Sequence, residues 1–208
     1  MERERITISI KKNLLKEIDG TIDGVKVRNR SHAIETLATV ALNSGETNNA
    51  VLLLGGKDAM KLIPAAKENI KYLQKYGFDA VHIAVGFLAD KIKEKIGDEN
   101  NFGVELKYIE EGEGSGGAIK QLKKIFNKTF VVINSNEVMP LDLDKLLNFH
   151  KKHKSVATIA TKELSEMQGV YVVEPEIFKY VPTGFSMLES DIFPKLIKEE
   201  KVTIYPVL

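Results

Sequence analysis

Past residue 50 the sequence repeats one pattern. Short unbroken apolar runs, Val51 to Leu54, Val81 to Val85 and Phe130 to Ile133, alternate with stretches in which apolar residues recur at helical spacing, such as Leu88, Ile92 and Ile96 before Gly97. A strand that is apolar throughout has no face to turn to water, so both of its faces must be covered, and the helices between successive strands are what cover them. The pattern predicts an α/β domain over residues 50–208, a Rossmann-like, mostly parallel sheet between two helical layers. No run of 18 apolar residues and no charged-then-apolar leader is present, and cysteine is absent, so the expected setting is cytoplasmic, with no membrane partner and no disulfides.

The first 45 residues follow a different rule. Ile6, Ile8 and Ile10 alternate with Arg5, Thr7 and Ser9, the period of a half-buried strand. Leu14, Leu15 and Ile18 then mark a helix ending near Gly20 and Gly24, and a second helix is predicted to start at Ser31 as its N-cap. It points Ile34, Leu37, Val40 and Ala41 inward and ends before Gly45. Residues 46–49 read as a polar linker. All four arginines, Arg3, Arg5, Arg28 and Arg30, lie in this first part. A guanidinium presents a planar fork suited to phosphate and guanine edges, which lysine does not. The net charge of +1 excludes only non-specific nucleic-acid binding through bulk positive charge.

A lone six-residue strand needs a partner, and the economical source is a second copy related by two-fold symmetry. In this respect RITISI, KKNLLKEI and NRSHAI resemble the ribbon-helix-helix family of DNA-binding proteins, the Arc, MetJ and CopG type. The resemblance implies a homodimer on double-stranded DNA. Arg3, Arg5, Thr7 and Ser9 would face base edges from the ribbon, while Arg28, Arg30, Ser31 and His32 would clamp phosphate at the amino end of the second helix. It also implies a nucleoid-associated transcription regulator.

Residues 50–208 resemble the nucleotidyltransferase family that makes nucleoside-diphosphate sugars, a GT-A-like fold. The landmarks are VLLLGG, IAVGFL, NFGV, GSGGA and the stretch from YVVEPEIF to DIFP, in family order. Leu54, Gly55, Gly56, Gly114, Ser115, Gly116 and Gly117 are by this resemblance the candidate nucleotide contacts. The same glycines also suit strand-to-helix turns that need backbone room without any ligand.

The departures shape the functional expectation. No arginine follows Arg30, only Lys61 stands where a phosphate-binding lysine is expected, and Asn136 occupies the place of a metal-binding aspartate, with Glu137 one residue late. The second metal aspartate would fall beyond Leu208. Nucleotidyl transfer depends on cancelling developing charge with cations, so the expectation is a pseudoenzyme without cofactor or metal, used for nucleotide sensing or oligomerisation. The alternatives are an active nucleotidyltransferase dimerised by its N-terminal segment, and a low-specificity DNA-organising or partition protein. His150 and His153 read as a solvated helix end, and His82 as a hydrogen-bonded core or edge histidine.

Overall fold

The computed structural model describes residues 4–24, 27–44, 49–86, 88–98, 101–110, 113–134, 141–162 and 169–207. Arg3, Asn136, Glu137 and Met167 lie outside them, and so do the side chains of Val40 and Ala41. The chain forms two compact units, Met1–Gly45 and Glu46–Leu208.

In the first unit α1 spans Lys12–Gly20 and α2 spans Arg30–Ser44. The strand expected at Arg5 to Ile10 is not formed. Residues 4–11 have no regular structure, and Ile6 and Ile8, the intended inner face, are 72% and 51% exposed. An extended segment holds its shape only through hydrogen bonds to a neighbouring strand, and the chain supplies none here. The second helix is capped earlier than predicted. Asn29, not Ser31, accepts the His32 amide on its side chain at 3.0 Å, so helical geometry begins at Arg30. Ala33 and Ile18 are buried, whereas Ile34 is only half-buried and Leu37 is exposed.

The second unit is a seven-stranded sheet in the order β3-β2-β1-β4-β6-β5-β7. The strands are β1 Asn49–Leu54, β2 Ala80–Val85, β3 Glu105–Glu110, β4 Phe130–Asn134, β5 Ala157–Thr161, β6 Val170–Val173 and β7 Val202–Pro206. β6 pairs antiparallel with both β4 and β5, and every other pairing is parallel. The covering helices are α3 Ile63–Lys75, α4 Ala89–Ile96, α5 Gly114–Gln121, α6 Leu143–His153 and α7 Phe193–Lys198.

The period of two along each strand divides the core into two layers. Ala50, Leu52 and Leu54 of β1 join Val81, Ile83 and Val85 of β2 under α3, α4 and α6. Val51 and Leu53 join Phe130, Val132 and Tyr171 under α5 and α7. Leu52, Leu54 and Ile83 are wholly inaccessible, and each contributes about 1.5–3 kcal/mol by burial. α3 and α4 cover one face and α5 the other, because the strand order turns back at β1. β2 lies on one side of β1 and β4 on the other. In open α/β sheets such a reversal is where ligands bind, at the carboxyl ends of the strands.

His150 departs from its expected environment, and His82 keeps its expected place in the core but not its expected hydrogen bond. His150 is not solvated: it is 3% exposed, with Nδ1 at 2.7 Å from the Thr158 hydroxyl and Nε2 at 3.0 Å from Glu174. His82 is buried against Phe126, edge to face at 4.9 Å, and neither ring nitrogen has a hydrogen-bond partner among the described residues. Burial, reinforced by Lys107, holds its pKa below the ordinary histidine value, so the ring stays neutral.

Candidate functional site

The carboxyl edge where β1 and β4 lie side by side is built from segments distant in sequence. β1 delivers Leu54, fully buried, and then Gly55 and Gly56. Gly56 has φ +86, with open space where a side chain would stand, so its backbone rather than crowding demands glycine. Lys57 and Asp58 follow on the exposed loop, and Asp58 binds Lys61 at 2.7 Å. The loop after β2 runs alongside, Gly86 approaching the Gly56 amide.

Gly114, Ser115, Gly116 and Gly117 form the first turn of α5, at the carboxyl edge of the same parallel sheet. This turn is held from within. The Ser186 amide donates to the Glu113 carbonyl at 2.9 Å, and the Gly116 amide donates to the Ser186 carbonyl at 2.8 Å. A Cβ at Gly114 would stand 2.5 Å from the Ser186 carbonyl oxygen, and one at Gly116 would stand 2.3 Å from Ser186 Oγ. Both glycines are thus required by the crossing of residues 184–187, whatever the ligand.

Ser115 is buried and joins a network that the linear sequence does not display. Its hydroxyl accepts the Leu188 amide at 2.9 Å and lies 3.4 Å from Glu189 Oε2. Glu189 Oε1 accepts the Tyr171 hydroxyl at 2.8 Å and the Asn134 amide at 3.4 Å. Asn134 is the last residue of β4, so α5, β4 and β6 meet at one half-buried carboxylate. Burial, with Glu189 adding its negative charge, drives the Tyr171 phenol far above its ordinary pKa, which keeps it a donor. Motif reading passes over Glu189, Asn134, Tyr171 and Lys57. The one cue in the sequence is Tyr171, a polar tip inside an otherwise apolar strand.

A sequence model of the nucleotidyl transferase family matches residues 50–176, more than half of the chain. The chain belongs to the nucleotidyl transferase family. Among the relatives of this chain, the D-glycero-alpha-D-manno-heptose 1-phosphate guanylyltransferase of Campylobacter jejuni is 30% identical over 73% of this chain and 80% of its own length. The UTP–glucose-1-phosphate uridylyltransferase of Synechocystis is 26% identical over 64% of this chain. The chain spans 47% of that uridylyltransferase and 57% of the mannose-1-phosphate guanylyltransferase of Mycobacterium tuberculosis, about half the length of such relatives. The crystal structure of HddC from Yersinia pseudotuberculosis shares the fold, with TM-score 0.63 and 20% identity over 76% of this chain and 90% of that one.

These findings overturn the regulator. The family match begins at residue 50 and the relatives are named for transferase activities, so nothing supports a ribbon-helix-helix fusion, a DNA partner, nucleoid association or transcription regulation. The expected homodimer on DNA falls with them. In the structure Arg5, Thr7 and Ser9 are exposed on a segment without strand geometry. Arg30 is committed to Asp19 by two hydrogen bonds of 2.6 and 2.7 Å, which hold the Asp19 carboxyl below its ordinary pKa. His32 accepts the Arg28 amide on its ring at 3.3 Å, and Ser31 and Arg28 are exposed.

The pseudoenzyme expectation is overturned by the same relatives, all named as transferases. It rested on motif positions read locally. Asn136 and Glu137 lie outside the described residues, and the network around Glu189 shows that this edge of the sheet recruits groups from far along the chain. Among the described residues no group of three or more His, Cys, Asp or Glu side chains could hold a metal ion, and no helix is long and apolar enough to cross a membrane.

Proposed function

We propose that the protein is an active sugar-phosphate nucleotidyltransferase, joining the nucleoside monophosphate of an NTP to a sugar 1-phosphate with release of pyrophosphate. The guanylyltransferase names among the relatives, the heptose enzyme above all, favour GTP as donor. The observation that supports this most is that relative, matched over 80% of its length. The division into domains 1–45 and 50–208 joined by residues 46–49 belongs to the same proposal.

In this reading the nucleotide lies across the carboxyl ends of β1 and β4, with Leu54 to Gly56 and the Gly114 to Gly117 turn beneath it. The sugar phosphate attacks the α-phosphorus, the bond to the β-phosphate oxygen breaks, and pyrophosphate leaves. Negative charge grows on the leaving group, and it must be met by cations. Lys57, exposed directly after the paired glycines, and Lys61 on the following turn are the cationic side chains that this loop offers. Magnesium, which the family resemblance implies, finds no three-ligand cluster among the described residues, and no step is assigned to it. The test is pyrophosphate release from GTP, UTP and other NTPs with mannose, glucose and heptose 1-phosphates, magnesium supplied. Silence with every pair would refute the reading.

A further inference from the structure

Among the described residues two histidines are buried, and their surroundings differ. His150 sets its ring between the Thr158 hydroxyl and the Glu174 carboxylate. His82 is 3% exposed, and neither of its nitrogens is bonded among the described residues. It stands in the middle of β2, level with Val51 of β1 on one side and Lys107 of β3 on the other. Residues level across a sheet share a face. The ring therefore lies under the layer that α5 and the segment after it form, edge to face with Phe126 at 4.9 Å, and Phe126 in turn meets Phe130 at 5.0 Å. A buried polar ring without a partner is a cost to the fold that phenylalanine or leucine at the same place would not carry.

Neutral, the ring packs as an aromatic. Charged, it would have to be paired or hydrogen-bonded to stay in the core, and its neighbours supply neither. Lys107, level with it on β3, repels a second positive charge. Glu105, two residues earlier on the same face, attracts it, but that carboxylate is exposed and already bound to Lys107 at 2.9 Å. The Ala50 backbone favours the charged form without reaching hydrogen-bond geometry, and burial outweighs it. β1 and β2 bring no other ionisable side chain. Between Gly114 and Thr129 the ionisable side chains are lysines alone, Lys120, Lys123, Lys124 and Lys128. We propose that His82 is an acid-sensitive catch: on taking up a proton the ring leaves its place against Phe126, and the layer of α5 and Phe126 loosens from β2. That layer starts with the Gly114 to Gly117 turn, and its Ala118, Ile119 and Leu122 pack with Val51 and Ala84, so acid disturbs the glycine turn from beneath. The sign follows from the two states of the ring. Unfolded, it takes a proton near pH 6.5, and native it does so only at lower pH. Stability is therefore whole above about 6.5 and falls as the pH drops towards the native value.

Urea unfolding of the full chain, followed by circular dichroism at about pH 7.5 and pH 5.5, tests this in wild type and His82→Phe. The other three histidines are common to both proteins, so their titration cancels in the comparison. Over that interval the folding constant of wild type should fall by up to about tenfold more than that of the variant, the effect of one proton taken up only on unfolding. Hydrogen exchange, corrected for the intrinsic effect of pH, should show the peptides of β2 and α5 opening at the lower pH ahead of those of β5 and β6 in wild type, and staying closed in His82→Phe. Parallel pH dependence in the two proteins overturns the proposal. A difference in stability without local opening also overturns it, because the histidine would then be a global cost and not a catch. If His82→Phe does not fold, His82→Gln, neutral and smaller, takes its place, and the wild-type ring supplies a second reading by NMR. Its signal should hold the neutral position until the resonances of Phe126 and Ala84 move with it. A His82 signal that titrates near pH 6.5 while those neighbours stay still refutes the catch.

Discussion

Gly116→Ala separates a glycine required by packing from one required by a ligand. The added methyl would stand 2.3 Å from Ser186 Oγ, 2.9 Å from Ile192 Cδ1 and 3.0 Å from the Ser186 carbonyl oxygen. Ser186 Oγ can rotate only within a site where the residue is 1% exposed. The carbonyl is pinned, because the Gly116 amide bonds to it at 2.8 Å and the Ser186 amide bonds to Glu113 at 2.9 Å. Overpacking of this kind costs about 1–3 kcal/mol, and losing one of the two backbone bonds adds about 1 kcal/mol. Replacing glycine by alanine in a helix returns about 1 kcal/mol. The net expectation is a loss of about 1–3 kcal/mol, or about 2–12 °C in the midpoint for a domain of this size. Urea unfolding followed by circular dichroism measures it. Gly56→Ala is the control: nothing lies within 4 Å of the added carbon, and only φ +86 opposes it, at about 1–2 kcal/mol. A Gly116→Ala protein as stable as wild type would show that residues 184–187 yield freely. The glycine would then need another explanation, of which close approach of a nucleotide is the first.

Other outcomes follow from the same geometry. His150→Ala strands the fully buried Thr158 hydroxyl and opens a cavity, and chemical denaturation should read a loss of about 2–4 kcal/mol. The hydrogen bond from His150, aided by one from Thr129, holds the Glu174 carboxyl below its ordinary pKa. Its contribution is therefore present above the unfolded value of about 4.3 and is lost as pH falls through the lower folded value. Glu174→Gln should flatten that acid limb in a stability profile from pH 7 to pH 3. Lys57→Ala should raise the KM for GTP about tenfold or more, and Lys61→Ala should raise it less, because Asp58 holds Lys61 at 2.7 Å. Equal effects in the pyrophosphate assay would contradict the ranking. Tyr171→Phe removes the 2.8 Å donor to Glu189 and should cost about 1 kcal/mol while leaving the fold intact; a circular dichroism spectrum that changes with it would count against a turn held by several independent donors.

What can be read from the sequence follows the range of the forces involved. β1, β2 and β4 are legible because a continuous apolar run bounded by turns is a local signal, and burial on both faces confirms the reason. The Arg5 to Ile10 alternation is an equally clear local signal, yet residues 4–11 take no strand geometry, because a strand is made by its neighbour and not by its own period. His150 misleads for a related reason: Lys151, Lys152 and His153 around it suggest solvent, while Thr158 and Glu174, which bury it, lie 8 and 24 residues away. The candidate site shows the same limit most sharply. Glu189 meets Asn134 across 55 residues and Ser115 across 74, so no short motif contains the carboxylate that the edge of the sheet possesses. To infer inactivity from missing aspartates and arginines is to assume that each electrostatic role has a fixed address in the sequence. The field at a reacting phosphate depends on which charges stand near it, not on where the chain supplies them. In a doubly covered sheet the carboxyl edge collects side chains from every crossover. The absence of a charge from one loop therefore says nothing about the site until the whole edge has been assembled.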